Sequence, residues 1–273
     1  ALNSGADVIT ANKALIAAHG PELFDLAEQL GAQLYFEAAV AGAIPIIRPL
    51  RESLAGDKIN RVMGIVNGTT NFILDSMESS GADFDDALQL AKELGYAEAD
   101  PTADVGGYDA QSKAAILASL AFHSEVPVEL VHREGITEIG ASQIEAAKAA
   151  GYSVKLLAIC ERAQDQGKEG LVVRVHPTLI PLEHPLAAVH GAYNAVFVEA
   201  ESAGQLMFYG AGAGGPETAS AVLGDLVSAA KRHLAGGPGL ADSTHANLEI
   251  FPVQSVVTRF QITLEVSDET GVL

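Results

Sequence analysis

Residues 154–176 read VKLLAICERAQDQGKEGLVVRVH. Two apolar runs, Val154–Glu161 and Leu171–His176, flank a polar centre, and each has the length and composition of a strand. Two more such runs follow at Ala195–Glu201 and Gln205–Tyr209. Strands clustered in this way predict an α+β sheet with one open face. Upstream the pattern differs. A short strand at Asp7–Thr10 precedes helical spacing at Leu15, Leu23, Leu26, Ala27 and Leu30, interrupted near Gly20-Pro21 and stopped by Gly31; Gln33–Val40 is the next strand. Alternation of strand and helix predicts a parallel α/β sheet. The fold class is therefore α/β, in two parts: a small parallel unit and a larger unit with an open mixed sheet.

Between them, Pro45 suits the first turn of a helix running to Leu54. Ile59–Val66 is a strand, Asn67-Gly68-Thr69 a tight turn, and Thr69 or Thr70 caps a helix to Met77. Phe84–Leu94 is a helix closed by Gly95, and the loop Tyr96–Gly107 leads into an Ala-rich helix, Asp109–His123. Beyond it, Gln143–Ala149 is helical, Gly210–Gly215 opens a helix to Leu234, and Gly236-Gly237-Pro238-Gly239 reads as a linker.

The chain has 273 residues, 48% of them apolar, and a net charge of −19 with only 16 Lys and Arg. So acidic a surface repels phosphate backbones and anionic membranes, so neither nucleic acid nor membrane is an expected partner. No apolar stretch reaches the ~18 residues of a membrane span. The single cysteine, Cys160, lies inside an apolar strand and reads as a buried core thiol, which suits the cytoplasm. The eight histidines show no metal-ligand spacing.

Chemistry concentrates at residues 95–113, GYAEADPTADVGGYDAQSK. Four carboxylates and a lysine surround a helix start. Asp109 and Lys113 are four apart and share one helix face. The rest of that helix is apolar, so a lysine at its mouth beside an acid is placed to deliver a proton. The same spacing also fits a surface ion pair with capping acids. Three shorter segments carry weaker signals. Thr10-Ala11-Asn12-Lys13 follows the first strand and fits an ordinary strand-to-helix turn. Glu37–Pro45 is a tight turn. Gly210–Gly215 could bring backbone amides to an anion at a helix N-terminus or be a plain turn.

The 95–113 run closely resembles the signature of the homoserine dehydrogenases: Ala91, Gly95, Tyr96, Asp100, Pro101, Asp104, Val105, Gly107, Asp109 and Lys113 all match. The resemblance implies that Lys113 is the general acid/base and Asp109 its support, that Glu98 and Asp104 bind a small-molecule substrate, and that Gly95 touches cofactor. It places Lys13 at the nicotinamide of NAD(H) or NADP(H), Thr69 in the substrate cleft, and Gly212 and Gly214 against the dinucleotide. Glu37, Val40, Gly42 and Ile44 resemble a sodium loop that uses main-chain oxygens, although Ala43 stands where the family commonly has glycine. A homodimer or homotetramer is implied, and so is the reduction of aspartate 4-semialdehyde to homoserine. A non-catalytic fragment, or a dehydrogenase for another amino-acid semialdehyde, is the alternative.

The implied organisation is 1–36 as the later part of a Rossmann-type domain and 37–207 as the catalytic and dimerisation domain. Residues 208–236 return to the cofactor domain, 237–257 form a linker, and 258–273 resemble the start of an ACT domain. The first residues carry no basic leader, and the family's glycine-rich nucleotide loop is expected before Ala1. Truncation is expected at both ends, because a module ending after one strand would expose an unpaired edge.

Overall fold

The structure, a computed structural model, describes residues 1–236 and 245–262. Strands β1 (Val8–Ile9) and β2 (Leu34–Tyr35) form a parallel pair joined by helix α1 (Lys13–Leu30). Asn12 caps α1, its Oδ1 accepting the Leu15 amide at 3.1 Å, and Gly31 ends it at φ 63°. The break expected at Gly20-Pro21 does not occur. Proline withholds one amide, and the buried contacts of Ile16, Gly20 and Ala27 hold the helix through it. The strand expected over 33–40 stops at Tyr35, and residues Glu37–Ala39 form a 3-10 turn. The Glu37 carboxylate explains the turn: it accepts the amides of Ile47 at 2.7 Å and Arg48 at 3.0 Å, ten residues on.

The larger sheet is built from β3 (Ile59–Ile65), β4 (His132–Arg133), β5 (Tyr152–Asp165), β6 (Lys168–Pro181), β7 (Tyr193–Ala200), β8 (Gly204–Ala211) and β9 (Glu249–Ile250). Its order is β4-β6-β5-β3-β7-β8, with β9 also on β6. The central ladders are antiparallel, while β4 and β9 run parallel to β6, so the sheet is mixed. β5 and β6 are longer than their apolar runs. Their polar tips stay paired because Gln166 and Gly167 take φ of 47° and 80°, the two-residue turn that matches strand twist.

One face of this sheet presents Val62, Val154, Leu156, Ala158, Cys160, Val173 and Val198 to the helices. Those against the sheet are α2 (Gly68–Ser80), α5 (Tyr108–Phe122) and α6 (Ala141–Ala149); α3 (Phe84–Glu93) packs on α2, and α4 (Thr102–Val105) on α2 and α5. Ala114, Ala115 and Ala118 let α5 lie close to the strands. Cys160 is buried there, with its Sγ at 3.5 Å from the Ala114 carbonyl, and burial pushes its thiol up to about 12. The opposite face is partly covered by Leu186, Ala187 and Val189. Elsewhere it is open and carries the ion pairs Arg61–Glu161 and Arg174–Glu161 at 2.8 and 2.6 Å. Among the described residues no helix is long and apolar enough to cross a membrane.

Helix α7 (Gly215–Ala235) runs back to the first sheet. Its buried Asp225 accepts the Glu37 amide and the Arg48 guanidinium, each at 2.9 Å. Part of the segment read as a linker is docked: β9 pairs with β6, Phe251 is buried, and the Leu248 amide donates to Ser124 Oγ at 3.0 Å. Of the 258–273 segment that resembles the start of an ACT domain, residues 258–262 have no regular structure; the remainder lies outside the described residues.

Three segments interlock beneath α7. Gly42 has φ +60°, and a Cβ there would lie 2.4 Å from the Gly212 carbonyl oxygen. A Cβ on Gly212 would lie 1.9 Å from Asn194 Nδ2. Gly42→Ala or Gly212→Ala is therefore expected to lower unfolding free energy by more than about 2 kcal/mol in urea denaturation. A loss below about 0.5 kcal/mol would dismiss the interlock.

Candidate active site

The site forms where β3 ends and α5 begins. Gly107, at φ 80°, turns the chain into α5, so that Asp109 sits in the first turn, where the helix N-terminus favours a carboxylate. Lys113 follows one turn later. Its ammonium reaches Asp109 Oδ2 at 2.8 Å and the Val66 carbonyl at 2.7 Å. Both residues are buried. Lys13, the first residue of α1, brings a second ammonium to Asp109 Oδ1. One carboxylate thus joins two lysines, one from each sheet unit.

Asn67 completes the cluster. Its Oδ1 caps α2 by accepting the Thr70 amide at 2.9 Å. Its Nδ2 donates to Asp109 Oδ2 at 3.0 Å and to Asp104 Oδ1 at 2.6 Å. Burial alone would raise the Asp109 carboxyl. The Lys113 charge, with hydrogen bonds from Lys113, Lys13 and Asn67, outweighs burial and holds it at about 2. Asp109 is therefore a permanent anion near neutrality.

The other residues expected in the site divide. Asp104 joins the cluster through Asn67. Thr69 donates to the Tyr96 carbonyl at 2.6 Å and pins the loop that carries Glu98. Glu98 is exposed and makes no hydrogen bond to the cluster among the described residues. Gly95 is exposed at φ 78°, a conformation glycine adopts without strain. The helix cap falls on Asn67, not on Thr69 or Thr70. Sequence did not single out Arg133, and it read Asn67 only as part of the 67–71 turn and cleft segment. The Asn-Gly-Thr-Thr run advertises a cap, but nothing in it shows a link to residues about forty positions on. Arg133 donates to the Gly106 carbonyl and lies 3.7 Å over the Tyr108 ring, which steadies the turn into α5.

The homoserine dehydrogenase family model matches residues 45–227, and the model of that enzyme's NAD-binding domain matches residues 1–37. The chain belongs to the homoserine dehydrogenase family. The homoserine dehydrogenase of Corynebacterium glutamicum is 60% identical over 274 residues, and that of Mycobacterium tuberculosis 57%. Both alignments take in 100% of this chain and 62% of the relative, so the chain spans about three-fifths of the length of these curated relatives. A crystal structure of a homoserine dehydrogenase from Thiobacillus denitrificans superposes at a TM-score of 0.89 with 45% identity, over 93% of this chain and 60% of that one. A hyperthermophilic archaeal homoserine dehydrogenase in complex with NADPH superposes at 0.72 with 35% identity, over 87% and 67%.

Two segments that resemble homoserine dehydrogenase ligand loops have structural work of their own. Gly212 must be glycine to admit Asn194, and the Glu217 carboxylate packs over Gly214 at the start of α7. In the 37–44 segment the Glu37 carboxylate is committed to the Ile47 and Arg48 amides, which leaves main-chain oxygens to face any cation. No cluster of three or more His, Cys, Asp or Glu able to hold a metal exists among the described residues.

Asp109→Asn is expected to lower unfolding free energy at pH 7 by about 3 kcal/mol, because Lys113 is left buried without its counter-charge. The folded-state value of Asp109 lies below the usual 3.8, so its contribution is complete above that pH and is lost as pH falls to about 2. The stability gap between wild type and variant, measured by denaturation, should close over that interval. A gap independent of pH would show that the Asp109 charge is not what stabilises the site.

Proposed function

We propose that the chain is the catalytic part of a homoserine dehydrogenase, which reversibly reduces L-aspartate 4-semialdehyde to L-homoserine with NAD(P)H in the biosynthesis of threonine, methionine and isoleucine. The arrangement of Lys113 carries the reading. An ammonium has three N–H bonds, and two of them are taken by Val66 and Asp109. The third has no partner among the described residues and lies at the mouth of α5, where it can donate to a substrate oxygen.

We place a nicotinamide beside it. Lys13 follows the carboxyl end of β1 in a parallel pair, which is the edge where such sheets bind nucleotides. When bound, the nicotinamide supplies hydride to the aldehyde carbon. Lys113 donates its proton to the carbonyl oxygen as negative charge develops there, and recovers it in the reverse direction. Asp109, fixed as an anion, orients Lys113 and does not exchange the proton. Lys13 offsets charge at the same oxygen. Glu98 and Asp104 take the substrate ammonium, with Thr69 behind them. Gly95, Gly212 and Gly214 lie along the cofactor. A monovalent cation held by the main-chain oxygens of Glu37, Val40, Gly42 and Ile44 would brace the loop between the two units. The archaeal relative bound to NADPH supports a nicotinamide cofactor, and the fully buried Cys160 argues against an acyl-forming semialdehyde dehydrogenase, which needs a reactive thiol.

We place the cofactor domain at 1–36 with the return segment 208–236, the catalytic domain at 37–207, and the start of a regulatory domain near 258. Pairing through the open sheet face would give a cytoplasmic homodimer or a tetramer built from it. In the full-length enzyme, Lys113→Ala should lower kcat by about 10²–10⁴-fold in NAD(P)H-coupled assays. Normal turnover in that variant would remove Lys113 from the mechanism.

A further inference from the structure

We infer that Asn67 is a positioning residue that sets the substrate length the site accepts, by fixing the spacing between Asp104 and Asp109. The inference rests on the reaction proposed above. Asn67 is buried, and its amide orientation is settled by its own contacts, because Oδ1 accepts the Thr70 amide at 2.9 Å and the Thr70 hydroxyl at 3.1 Å. The NH2 end must therefore face the carboxylates. It has two hydrogens and two acceptors, Asp104 Oδ1 at 2.6 Å and Asp109 Oδ2 at 3.0 Å.

Capping alone does not call for asparagine. Ser and Asp cap a helix about as well. Only a carboxamide both accepts from the helix and donates to two carboxylates. Asp104 and Asp109 repel each other across a partly buried gap, and a donor between them holds them at a set separation. That separation matters because the two acids serve opposite ends of the substrate. Asp104 holds the ammonium, and Asp109 holds Lys113 at the reacting oxygen. The amide therefore fixes the distance from amino group to carbonyl carbon. One extra methylene moves that carbon by about 1 Å, and a misplacement of that size costs on the order of a hundredfold in rate.

The test uses the full-length enzyme in the oxidation direction with two stable amino alcohols, 2-amino-4-hydroxybutanoate and its five-carbon homologue 2-amino-5-hydroxypentanoate. Asn67→Ser keeps a capping oxygen and removes the NH2; Asn67→Asp keeps the shape and replaces the NH2 with oxygen. The expected result is a fall of at least tenfold in the ratio of kcat/KM between the four- and five-carbon substrates, in whichever variant folds. The change should appear mainly as a lowered kcat for the shorter substrate. A ratio within twofold of wild type, even with overall activity reduced, would overturn the assignment and leave Asn67 as a helix cap. Wild-type enzyme inactive on both alcohols would refute the reaction itself, and the ruler with it.

Discussion

The fold turns on one buried carboxylate. Asp109 holds ammonium groups from two structural units, Lys113 on its own helix and Lys13 at the head of α1. Burying a lone carboxylate costs several kcal/mol, and the enclosed Lys113 alone would incur a similar cost. Together with Asn67 they offset one another, and the offset holds only when α1 and α5 are correctly placed. The charge balance around Asp109 is thereby also a condition for docking the α1 unit on the larger sheet. Within this arrangement Lys113 is mostly enclosed, while Lys13 is about half exposed.

Local features of the chain were readable because they depend on local chemistry. Gly31 and Gly95 mark helix ends through positive φ, and the apolar runs at 154–161 and 171–176 are the centres of β5 and β6. The pairing of Asp109 with Lys113 followed from a four-residue spacing. What escaped depends on partners far along the chain. The strand after Gln33 ends early because Glu37 binds amides ten residues on, and no periodicity encodes that. The Asn67–Thr70 run announced a helix start, but neither the capping role of Asn67 nor its grip on Asp104 and Asp109. Gly212 looked like an anion loop, and its packing reason is the side chain of Asn194 on a neighbouring strand. Residues whose role is set by sequence neighbours were legible; residues whose role is set by the tertiary arrangement were not.

A site that relies on hydrogen-bond lengths needs rigid support, and buried polar groups supply it. Asn71, on the first turns of α2, donates to the carbonyls of Val189, Gly191 and Tyr193. Lys155 is fully buried and donates to the Val189 carbonyl at 2.7 Å, and burial lowers its pKa. Asp75 accepts the Gly191 amide at 2.7 Å. These bonds fasten residues 189–193 against α2, and a Cβ on Gly68 would lie 2.6 Å from the Ala192 carbonyl. The N-terminus of α2 is thus held on its outer side by a loop with little freedom to move, and Asn67 inherits that position. Apolar packing is tolerant of small shifts, whereas a buried donor that loses its acceptor costs about 1–3 kcal/mol. Polar fastening therefore fixes the amide of Asn67 more tightly than the surrounding core could. The distance between the two acids is set by the sheet, through the loop, the helix and the amide in turn.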